Sequence, residues 1–188
     1  MSRLHVLVHR PRRTLAALAT VLVAVGITAA SGADFSATSA NPSNTFATGT
    51  LSISNTKTAA AVLTAANMKP GDAPRIGQVD IGNGGTLSGA FTLSRGTLND
   101  SDGANPLSGK LNLTVVDCGD FSSGTPTCDG ADPVKYTGTV AGMSSAVALA
   151  TFAGGEKHRY EFTVAVDSSA GNAYQGDSSQ VDFTWNAA

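Results

Sequence analysis

Strict alternation of apolar and polar residues sets the fold class of this chain. In "HRYEFTVAV", Tyr160, Phe162, Val164 and Val166 fall on one face, with Arg159, Glu161, Thr163 and Ala165 opposite. "QVDFTW" sets Val181, Phe183 and Trp185 against Asp182 and Thr184, and "KLNLTVVD" aligns Leu111, Leu113 and Val115. A period of two places successive side chains on opposite sides of an extended backbone, so each run reads as a half-buried antiparallel strand.

Further segments extend the pattern. "GTLSIS" offers Leu51 and Ile53, and "VKYTGTVAG" and "AVALATF" add two more strands. "RIGQVDI" offers Ile76, Val79 and Ile81 out of strict alternation, which points to a bulge at Gly77. Gly82-Asn83-Gly84-Gly85 before "TLSGAFTLS" predicts a hairpin. Pro70-Gly71 within residues 68–72 predicts a turn. Thr58 to Met68 has good alanine propensity but little helical periodicity before Pro70, and is expected to be a strand or a short irregular turn. Ser168 to Gln180 reads as a loop with at most one helical turn. Short strands separated by Gly, Pro, Asn and Asp predict an all-β chain, an antiparallel jelly-roll-like β-sandwich.

Ahead of this domain stands a targeting signal. Arg10, Arg12 and Arg13 precede an uncharged apolar stretch from Leu15 to Ala30, too short to span a bilayer as a helix. Small residues at Thr28-Ala29-Ala30 and Ser31-Gly32-Ala33 suit signal-peptidase cleavage after Ala30 or Ala33. Residues 1–33 are thus expected to be a signal peptide and 34–188 one secreted domain. The alternative is an uncut anchor, which would be the chain's only link to a membrane. Cleavage removes Arg3 with the other three arginines, so eight basic residues remain against fourteen acidic ones, a net charge of −6. That balance argues against nucleic acid as a partner.

Two cysteines in an exported chain, Cys118 and Cys128, are expected to form one disulfide. The sequence offers no H-E-x-x-H, no G-x-S-x-G and, in the mature part, one histidine, His158. No catalytic residue, cofactor or metal site is assigned. Glu156 and Glu161 near His158 read as a charged strand entry on an exposed face. Asp100 and Asp102 in "NDSDGANP" are spaced like the first two ligands of a calcium loop, but Gly103 comes too early and no suitably placed glutamate follows. Asp117, Asp120, Asp129 and Asp132 crowd around the disulfide loop. A solvated acidic loop is the favoured reading of both groups.

The order of short motifs resembles the TasA/camelysin family of secreted proteins. The pieces are "GITAASGADFSATS", "NTFATGTLSIS", "NMKPGD", "VDIGNGGTLSGAFTLS" and "GNAYQGDSSQVDFTWNA". The resemblance implies a jelly-roll-like sandwich and either of two activities: a biofilm-matrix fibre subunit or a metallo-endopeptidase. A cell-surface adhesin or ligand-binding module is a third reading. The residues themselves favour the fibre. Asp34, Phe35, Ser36, Ala37, Thr38, Ser39 and Ala40 form an extended, proline-free segment carrying one charge. Such a segment can add as a strand to the sheet edge of another copy, with Asn41 to Asn44 as hinge. It can equally fold back as the first strand of its own domain. The expected partners are further copies of the chain, with other matrix or cell-wall components, at an extracellular location.

Overall fold

A computed structural model describes Arg12, residues 15–19 and residues 48–188. Residues 15–19 are helical. The expected cleavage sites and the strand 34–40 lie outside the described residues. The chain divides into a unit of residues 1–46 and a unit of residues 47–188, and the second carries the β architecture.

Eight strands follow one another: β1 (Ile53–Asn55), β2 (Arg75–Asn83), β3 (Gly89–Asp100), β4 (Leu111–Asp120), β5 (Val134–Thr139), β6 (Val147–Phe152), β7 (Lys157–Val166) and β8 (Ser179–Ala187). They form two antiparallel sheets, one ordered β1-β2-β7-β4-β5 and the other β6-β3-β8. The all-β, two-sheet fold expected from the alternation is present. The links β2–β3, β3–β4, β5–β6, β6–β7 and β7–β8 each change sheet, which is what closes the core between the layers.

That core is the inward row of each strand. Tyr160 and Phe162 of β7, Leu113 and Val115 of β4, and Val79 and Ile81 of β2 meet Phe91 and Leu93 of β3 and Phe152 of β6. Rings bridge the layers: Phe162 lies 4.9 Å from Phe183 and Tyr160 lies 5.4 Å from Trp185, both in tilted geometry. Burial of this apolar surface is the main stabilising force, and tilted ring pairs add to it.

Two expectations are corrected. Gly82 to Gly85 does not make a hairpin, because β2 and β3 belong to different sheets. The turn instead carries the chain across, fastened by Asn83: its buried amide nitrogen donates to the Leu87 and Phe152 carbonyls, and its oxygen accepts from the Gly85 amide. Gly77 marks no bulge either. β2 and β7 keep one register from Arg75↔Val164 to Gly82↔Lys157. Gly77 takes the inward position and Ile76 points out, 60 % exposed. The inward site has no room, since a Cβ at Gly77 would lie 2.3 Å from the Val62 carbonyl oxygen. Residues 58–68 contain no helix and run as an irregular segment over that site, as the turn reading anticipated. Residues 172–174 form the single short helical turn of the loop before β8.

Candidate functional site: an internal charged cluster and an open sheet edge

His158 does not sit on an exposed face. Position 158 shares the inward row of β7 with Tyr160 and Phe162, and its side chain is 13 % exposed. The ring stacks on Phe152 at 4.5 Å and is held at both nitrogens. Nδ1 lies 2.8 Å from Asp117 Oδ1, and Nε2 lies 2.9 Å from Glu156 Oε1. Asp117 is the last inward residue of the alternating part of β4, which turns its carboxylate into the sandwich rather than toward the disulfide loop. Its other oxygen faces Lys135 Nζ of β5 at 3.4 Å, and that ammonium also donates to the Leu149 carbonyl of β6 at 2.7 Å.

The charges support one another. Burial works against the charge on Asp117, but the bond from His158, the Gly119 amide and Lys135 outweigh it and hold the carboxyl below its ordinary range. The Asp117 bond raises the His158 pKa against the opposing effect of burial, and Glu156 adds to the rise. Glu156 is in turn held low by His158 and by the Ala153 amide. Tyr160, whose hydroxyl has no hydrogen-bond partner among the described residues, has its phenol pushed up by burial and then by the charge of Asp117. The sequence signal for this cluster was the break in apolar alternation at Asp117 and His158, two inward positions at the same end of neighbouring strands.

The other acidic residues serve themselves. Cys118 and Cys128 are bonded, with Cα atoms 4.7 Å apart. Such a bond belongs to oxidising surroundings, consistent with an extracellular location. The loop they close lies over the outer face of β7. Phe121 sits beneath Lys157, whose Nζ is 3.8 Å from the ring centroid, and Arg159 donates to the Pro126 carbonyl while forming a two-pronged pair with Asp80. Asp120 caps Ser122, Asp129 accepts from the Ala131 amide and Asp132 accepts from the Asp129 amide. Asp100 is taken up by the Ser108 amide and hydroxyl, and Asp102 by Ala104 and Asn105. Asp100 and Asp102 therefore serve different partners and do not converge on one point. Among the described residues the single grouping with metal-ligand spacing is Cys118, Cys128 and Asp132, and its sulfurs are spent in the disulfide. An open cleft of about 700 Å³ is lined by Ser54, Asn83, Asp120, Phe121, Glu156 and Lys157.

The second feature is β8. It pairs with β3 and, among the described residues, with no strand on its other side. Ala90 and Ala188 exchange both backbone bonds, at 2.8 and 3.1 Å. Alternation from that pair through Thr92↔Asn186 and Ser94↔Thr184 turns the N–H and C=O of Phe183, Trp185 and Ala187 toward the open side. The inward row Val181, Phe183, Trp185 and Ala187 is only half-buried. Among the described residues no helix is long and apolar enough to cross a membrane. In comparison with known proteins, no family model matches the chain and no curated protein is significantly similar to it.

Proposed function

We propose that the chain is a secreted structural subunit of an extracellular-matrix or cell-surface fibre. Residues 34–40 of one copy add as a strand to the sandwich of the next. The observation that supports this most is the outer side of β8, a nine-residue strand with three outward-facing backbone positions and a half-buried apolar row. An unpaired edge of that length is a template for another strand. Seven residues of extended chain reach about 23 Å, enough to pair with most of β8. Main-chain bonds supply the affinity, and the row at Val181, Phe183 and Trp185 gives alternate side chains such as Phe35, Ala37 and Ser39 something to pack on. A donor at one end and an acceptor elsewhere make a contact that does not close, so copies propagate head to tail.

The test is deletion of residues 34–40 from mature protein with a free, authentic N-terminus. The full-length mature chain forms fibres visible by electron microscopy and the deleted chain stays monomeric. Fibres from the deleted chain would show that the strand is not the donor.

A further inference from the structure

We propose that Lys135 and Asp117 become joined by an intramolecular amide bond, a self-made cross-link between β5 and β4 inside the sandwich. The fold holds the three participants such a step requires. The nucleophile, Lys135 Nζ, lies 3.4 Å from Asp117 Oδ2, with the two side chains 18 % and 6 % exposed. Its direction is fixed from the far side by the Leu149 carbonyl at 2.7 Å. The proton donor, His158 Nδ1, touches the other carboxylate oxygen, Oδ1, at 2.8 Å. Phe152, stacked on His158, and the fully buried Tyr160 border the imidazole.

Ordinary lysine and aspartate do not condense in water, because both are charged and water is in excess. Here the two groups still pair as ions, but they are held together with both side chains largely out of bulk water. Lost hydration narrows the gap between the ion pair and its neutral form, which the step draws on. Reactants held at contact react as though at an effective concentration of about 10⁵ M or more. The ammonium passes one proton to Oδ2, leaving an amine and a carboxylic acid. The Nζ lone pair attacks Cγ and forms the new C–N bond. The Cγ–Oδ1 bond then breaks, with Oδ1 leaving as water: one proton comes from His158 Nδ1 and one from Nζ. The proton left on Oδ2 returns to His158. One ammonium and one carboxylate give one amide and one water, and nothing is oxidised or reduced. Glu156, on the other ring nitrogen, orients the imidazole and lines the open cleft, which gives the water an exit. The step occurs once per chain and an amide bond hydrolyses slowly once made, so the neutral pair need be populated only rarely.

The test is mass spectrometry of purified, reduced, denatured full-length or mature wild-type protein with its N-terminus identified. Trypsin cuts after Lys110, Lys135 and Lys157 in an unmodified chain. The cross-linked chain resists cutting at Lys135 and gives peptide 111–157 lighter by one water, with the loss placed at Asp117 and Lys135 by fragmentation. Full mass with cleavage at Lys135 overturns the proposal. So does a water loss that persists in Lys135→Arg, which keeps the charge but cannot form this bond, because that loss would be cyclisation of an aspartate elsewhere. His158→Gln keeps a hydrogen-bond donor and lacks a transferable proton. Folded His158→Gln protein forms the link roughly 100-fold more slowly, and formation at the wild-type rate would overturn the role given to His158.

Discussion

Asp117 and His158, on neighbouring strands β4 and β7, face each other inside the sandwich at 2.8 Å. The pair makes stability depend on pH in a fixed direction. His158 has its pKa raised by the fold above the ordinary 6.5. Its contribution is therefore complete below that value and is lost as pH rises through the folded value. Asp117 and Glu156 are held below their ordinary 3.8 and 4.5, so they contribute above those values and lose it as pH falls. Stability is expected to be greatest between roughly pH 5 and 6.5 and to decline on the alkaline side. Urea unfolding of Lys135→Arg, in which Asp117 stays a carboxylate, measures this directly. A second substitution, His158→Gln, flattens the alkaline slope. An unchanged slope would place the proton elsewhere.

The disulfide closes a short loop against the outer face of β7. Replacing Cys118 with Ala and Cys128 with Ser together is expected to lower unfolding stability by about 2.5–3 kcal/mol, the chain-entropy value for a loop near this length. The loop itself should loosen, since Phe121 and Pro126 keep their contacts with Lys157 and Arg159 but lose the covalent tie that holds the loop against them. Urea unfolding gives the first quantity. Limited proteolysis gives the second, with new cuts between residues 119 and 133 and protection of β7 unchanged.

How far the sequence carried differs by element. β4, β7 and β8 were legible because each alternates an apolar core-facing row with a more polar outer row, and such a strand writes its own period. β2 was misread at Gly77, whose inward role depends on Val62 and Leu63, remote in sequence. The link at Gly82 to Gly85 has hairpin chemistry, yet Asn83 spends its side chain holding a crossing between sheets. Local turn signals do not say which sheet the next strand joins. The charged cluster was hidden for a related reason: Glu156 and Glu161 flank His158 in sequence, but its closest partner is Asp117, 41 positions away.

Gly77→Ala tests the close approach of the irregular segment. The added Cβ would meet Val62 backbone at 2.3 Å and Leu63 Cβ at 3.0 Å. Backbone cannot swing aside as a side-chain tip does, so the segment must lift from β2. A loss of about 1–3 kcal/mol is expected, the usual range for overpacking. Hydrogen exchange should show it locally, with faster exchange at the Thr56 amide, which donates to the Asp80 carbonyl. A melting temperature equal to wild type would mean that the segment is not packed there in solution.

Trp185 is the chain's single tryptophan and lies on the half-buried row of β8. It packs against Tyr160 and Phe162 on one side and, through its backbone, faces the open edge. A strand added along β8 would cover the remaining exposed part of the indole and remove water from it. Assembly is therefore expected to shift Trp185 emission to shorter wavelength, in step with the appearance of fibres. Mature protein lacking residues 34–40 should show no shift at any concentration. Phe35→Asp places a charge on the face of the donor that meets this row, and it should block the shift in the full-length mature chain. A synthetic peptide of residues 34–40, added to the deleted chain, should restore the shift without fibres, because it fills the edge and carries no domain behind it. A shift in the deleted chain without the peptide would mean that Trp185 is covered by a contact other than the donor strand.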